Sequence, residues 1–139
     1  MNIEEKCIFL EERITRLNEI GIALSTEKDT NKLFELILEE AKNITNADGR
    51  TLYMVDEKGN LKFEIMRNDS MDTIMGGTSG IDIPFPAVPK YFDDGEPNLS
   101  NVSAYAAITG NTINIEDAYE EKGYDFSGAK SYDKSSGYR

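Results

Sequence analysis

Apolar or small residues recur at Ile3, Cys7, Leu10, Ile14, Leu17, Gly21 and Leu24, with spacings of 4, 3, 4, 3, 4 and 3. A sustained 3.5-residue period predicts a helix over residues 3–24. Glu4, Glu5, Lys6, Glu11, Glu12, Arg13, Arg16 and Glu19 fill its remaining surface. Two readings fit: an amphipathic helix packed on its own domain, or one half of a seam between two helices. The strict heptad in an otherwise polar surface favours the seam, formed by Ile3, Cys7, Leu10, Ile14, Leu17 and Leu24. A parallel dimer is the preferred arrangement, with helix direction left open. Cys7 on that seam reads as a small core residue rather than a reactive thiol.

Ser25 to Asn31 breaks the pattern. Asp29 or Thr30 is placed to cap a second helix whose inner face is Leu33, Ile37, Ala41 and Ile44, widened by Phe34 and Leu36. Asn46-Ala47-Asp48-Gly49 stops it, because Asn and Gly tolerate the left-handed backbone. The period then changes to two, predicting strands at 51–55 and 61–66 joined by a hairpin at 56–60. Helices followed by a meander give an α+β class with helices packed on an antiparallel sheet. Residues 67–97 read as loops, with a short edge strand at 81–85 ended by prolines. Asn98 or Ser100 caps a further helix through Thr109 that ends at Gly110. A strand at 112–115 and a helical turn at 116–120 follow, and residues 123–134 show no period.

Composition narrows the chemistry. The chain has 139 residues, a formal net charge of −11 and no histidine. The length suits about one domain. Lacking any basic patch, it has no electrostatic source of nucleic-acid affinity. The absence of histidine removes Ser-His-Asp triads and His-ligated metals. One cysteine forms no internal disulfide, which points to a reducing, cytoplasmic compartment. No apolar run reaches membrane-spanning length, and the acidic start is not a signal peptide. The glycine-rich 75–80 lacks the lysine and following helix of a phosphate loop. Asp93-Asp94-Gly95-Glu96 lacks the alternating ligands of a calcium loop. These readings assign no catalytic and no metal-binding residue.

Five segments in order carry a resemblance: 16–21 (RLNEIG), 36–41 (LILEEA), 46–53 (NADGRTLY), 110–119 (GNTINIEDAY) and 124–128 (YDFSG). Together they resemble a bacterial GAF domain, of the type found upstream of HD-GYP phosphodiesterases and nucleotide cyclases. The resemblance covers residues 16–139. It implies a GAF/PAS-like antiparallel sheet with helices on one face, a long N-terminal helix and a small-molecule pocket under loops and short helices. The expected organisation is a dimer helix over 1–25 and a GAF domain over 26–139. Family members continue past the position of Arg139, so the last strands are expected to be missing and the domain incomplete at its C-terminus.

By matched position, the pocket residues implied are Ser100, Asn101, Tyr105, Ile115, Asp117, Asp125, Phe126 and Ser127. Convergent polar groups beside aromatic walls are what a ligand site needs. Each polar residue also has a local alternative, in that Ser100, Asn101 and Asp117 suit helix or turn caps. The function implied is a non-catalytic, small-molecule-sensing regulatory domain. Its occupancy, by a cyclic nucleotide or another small molecule, would act through dimer helices on a covalently linked output domain. The alternative is a structural dimerisation module with an empty or vestigial pocket. Methionine-sulfoxide reduction and bilin attachment, known among GAF-like proteins, need pocket cysteines, and Cys7 lies outside the matched pocket.

Overall fold

The computed structural model of the chain describes residues 1–138. Helix α1 (Ile3–Thr26) begins with a reciprocal cap. The Asn2 side chain accepts the Glu5 N–H at 2.8 Å and the Glu5 carboxylate accepts the Asn2 N–H at 2.8 Å. Two donors that a helix start leaves open are thereby satisfied. Helix α2 (Thr30–Thr45) is capped by Asp29, which accepts the Lys32 N–H at 3.1 Å. It ends at Asn46 in the left-handed conformation, φ 54°. The stop predicted from Asn46 to Gly49 is thus present in the backbone.

Strands β1 (Gly49–Val55), β2 (Leu61–Asn68) and β3 (Thr73–Gly76) form an antiparallel sheet in the order β1-β2-β3. The first hairpin is closed by Asp56, whose Oδ1 accepts the Lys58 and Asn60 N–H groups, each at 2.9 Å. The register of β2 on β3 runs from Ile65 opposite Gly76 to Asn68 opposite Thr73. In the connecting turn the buried Asn68 accepts the Met71 N–H at 3.0 Å. A 3-10 turn (Gly77–Ser79) follows. Helix α3 (Val102–Thr109) is capped by Asn101 rather than by Asn98 or Ser100 and is stopped, as expected, by Gly110 at φ 71°, and helix α4 (Ser127–Ser136) lies near the end.

The α+β class is present, but several local expectations are corrected. Helix α2 turns Leu38 inward, while Ile37, Ala41 and Ile44 of its predicted inner face are exposed. Residues 81–85 form no strand. The chain there carries closely spaced prolines, and the single bridge to the sheet falls later, between Leu61 and Val88. The third strand is instead β3, within the stretch read as loop. Residues 112–115 also form no strand, and the segment without a period contains α4.

Two compact units divide the chain: Met1–Leu52 with Ile65–Ile83, and Tyr53–Glu64 with Pro84–Arg139. In the first, α2 buries Leu38 and β2 buries Ile65. Arg16 of α1 grips Glu40 of α2 through one guanidinium nitrogen, at 2.7 and 2.8 Å from its two carboxylate oxygens. In the second, Leu61 and Ala104 are buried. The same unit holds a chain of rings: Tyr53 to Phe63 at 4.7 Å, Phe63 to Phe85 at 5.6 Å and Phe85 to Tyr132 at 5.6 Å between centroids. Such offset and edge-on pairs are the arrangement aromatic quadrupoles favour.

Candidate functional site

All eight residues expected to line a pocket fall in the second unit. Asn101 caps α3, its Oδ1 accepting the Ser103 and Ala104 N–H groups at 3.0 and 3.1 Å. The neighbouring Ser100 carbonyl accepts the Asp125 N–H at 2.7 Å, which pins the 124–127 segment to the start of α3. Tyr105, one turn into α3, meets Tyr124 edge-on at 5.5 Å, and Tyr124 meets Phe126 at 6.4 Å. Asp125 Oδ1 accepts the Ser127 N–H at 2.9 Å at the entry to α4. Hydrogen bonds from the backbone N–H and side chain of Ser127 hold the Asp125 carboxyl below its ordinary range. Six of the eight residues are therefore brought together.

The other two belong to a separate local arrangement. Ile115 lies half-buried in the irregular stretch before the turn. Asp117 closes that turn, its Oδ1 accepting the Tyr119 N–H at 2.8 Å and its carbonyl accepting the Glu121 N–H at 3.0 Å. The turn is tied to α4, where the Tyr119 hydroxyl donates to Asp133 and the Lys130 ammonium lies 5.3 Å from the Tyr119 ring centre.

In the first unit, a cleft of about 520 Å³ was not anticipated from the sequence. Its lining includes Lys32, Glu35, Arg50, Ile65, Arg67 and Thr78. Glu35 Oε1 is its hub: it accepts from Arg67 Nη2 at 2.9 Å and from the Thr78 N–H and hydroxyl, each at 2.8 Å. Desolvation pushes the Glu35 carboxyl up, but the Thr78 donors and the Arg67 charge outweigh it and hold it below its ordinary value. Arg67 also donates to the Met75 carbonyl at 2.6 Å. Gly77 has φ +59°, and a Cβ there would stand 2.6 Å from Glu35 Oε1, so a side chain at this position would strain the backbone and displace that carboxylate.

A second group of charges flanks the cleft. Arg50 reaches Glu39 and Asp69 at 3.0 Å each, and Lys42 reaches Asp69 at 2.9 Å. Hydrogen bonds from Lys42 and Arg50 lower the Asp69 carboxyl, and Asp69 in turn raises Lys42. The Arg50 Nε is buried without a partner. Both arginines of the cleft are committed to carboxylates of the same unit, so these contacts brace α2 against the strands. No grouping of three or more metal-ligating side chains occurs among the described residues.

The seam residues lie along α1. Ile3, Leu10, Ile14 and Leu17 are exposed, while Ile20, Ala23, Leu24 and Glu27 are half-buried toward the rest of the unit. Leu24 thus lies at the border between the seam and the helix's inner face. Among the described residues no helix is long and apolar enough to cross a membrane. The chain matches no protein-family model, no curated protein and no solved structure.

Proposed function

We propose that the chain is a non-catalytic, small-molecule-sensing regulatory domain of GAF type that works as a homodimer joined along α1. The observation that supports the site is the convergence of Ser100, Tyr105, Asp125, Phe126 and Ser127, from two segments far apart in sequence, into one polar and aromatic cluster. The ligand class is a cyclic nucleotide or another small molecule with a flat ring and polar edges, which the tyrosine and phenylalanine faces and the Asp125 carboxylate suit. Occupancy would order this cluster, and the dimer helices would pass the change to a covalently linked output domain in the cytoplasm. The test is thermal unfolding of the full chain with a panel of cyclic nucleotides and common metabolites. A ligand at a hundred times its Kd raises stability by about 2.7 kcal/mol. Tyr105→Ala should abolish that rise, and no shift from any compound overturns the sensing role.

A second reading is a structural dimerisation module with an empty pocket. It is favoured by the exposed apolar seam of α1 and predicts a dimer that binds none of the panel.

A further inference from the structure

We infer that the cleft of the first unit binds a free amino acid with an apolar side chain, held through its ammonium and carboxylate groups together. The Tyr105 cluster belongs to the second unit, and this site stands independently of the sensing role proposed there. The cleft holds about 520 Å³, within the roughly 300–1,000 Å³ of small-molecule sites. Leu36, Leu38, Ile65 and Ile74 supply its apolar lining. Leu38 and Ile65 are buried, whereas Leu36 is half-buried and Ile74 is exposed. The last two still offer aliphatic surface to water, and an apolar side chain that covers it gains in proportion to the area removed.

The polar lining carries both signs of charge, and its arginines are already paired. Arg50 is held by Glu39 and Asp69, and Arg67 by Glu35. Among the described residues, Lys32 and Glu27 of the same lining make no ion pair, with each other or with any other residue. Glu27 Oε1 accepts the Asp29 N–H at 2.9 Å, and its Oε2 accepts nothing among the described residues. Glu35 takes its three donors on Oε1, so its Oε2 is open as well. An unpaired ammonium thus shares the cleft with two unfilled carboxylate oxygens.

That arrangement selects the ligand by charge. Lys32 and Glu35 stand three residues apart on α2, where Cβ atoms are about 5–6 Å from each other. An α-amino acid carries its ammonium and carboxylate on one carbon and can therefore reach both. Its carboxylate accepts from Lys32 Nζ, in the first turn of α2, where the helix dipole also favours an anionic group. Its ammonium donates to the Oε2 atoms of Glu27 and Glu35. A simple anion would meet Lys32 but face both carboxylates, and a simple cation would meet the reverse, so a single charge is rejected from either side.

The experiment is an amide NMR titration of the full chain with L-leucine and L-phenylalanine. Two analogues of leucine each lack one charged group: 4-methylpentanoate has no ammonium and 3-methylbutylamine has no carboxylate. The amino acids should give saturable shifts at residues 32–36 and 74–79. Each analogue should bind about tenfold more weakly than leucine, as the loss of one charge-assisted hydrogen bond requires. Lys32→Gln and Glu27→Gln remove no ion pair of the fold, and each should weaken leucine binding by a similar factor. Tyr105→Ala should leave it unchanged, which separates this site from the cluster of the second unit. Saturable shifts from neither amino acid overturn the inference. So do an analogue that binds as tightly as leucine, undiminished binding by Lys32→Gln, or shifts confined to residues 100–127.

Discussion

Glu35 shows how much of this fold hangs on single atoms. One carboxylate oxygen joins α2 to β2 through Arg67 and to the 3-10 turn through Thr78. Glu35→Ala leaves those donors unmatched and should cost about 1–3 kcal/mol in chemical denaturation. The pH dependence follows from the same contacts. Because folding lowers the Glu35 carboxyl below its reference value of 4.5, its contribution is full above that value. It is lost as pH falls through the lower folded value, so Glu35→Gln should flatten the acid limb of the stability curve. Two glycines give opposite expectations. Gly77→Ala forces a side chain against the fixed Glu35 carboxylate at positive φ and should destabilise by about 1–3 kcal/mol. Gly21→Ala meets nothing within 4 Å inside α1 and should stabilise by about 0.5–1 kcal/mol.

At the scale of elements, what the sequence disclosed was local. The helix at α1, the Asp29 cap and Asn46 stop of α2, the hairpin at 56–60 and the Gly110 stop of α3 are each written in local residue patterns. The elements that were not legible depend on distant partners. β3 is four residues long and exists by pairing with β2 and by the Arg67 bond to the Met75 carbonyl. α4 begins at Phe126 without a capping side chain there and contains Gly128 and several serines, a poor helix by propensity. Contacts through Tyr132 to Phe85 and through Asp133 to Tyr119 hold it. Tyr132→Ala should therefore speed amide exchange across residues 127–136 while leaving α2 unchanged.

For the whole molecule, the two units differ in how far the sequence disclosed them. No periodicity joins the segments of Ser100, Tyr105 and Asp125, and only the resemblance to a family links them in the sequence. The Glu35 hub was not reached at all, because its partners lie 32 and 43 residues away and arginine or threonine in a strand or turn carries no local mark of such a role. The proposed role is small-molecule sensing by a dimer. The most direct test is native mass spectrometry of the full chain at gentle activation, with the cyclic-nucleotide and metabolite panel present. A sensing dimer gives twice the 15.6 kDa chain mass plus one small molecule per chain. A chain that takes up nothing from the panel, whatever its oligomeric state, would contradict it.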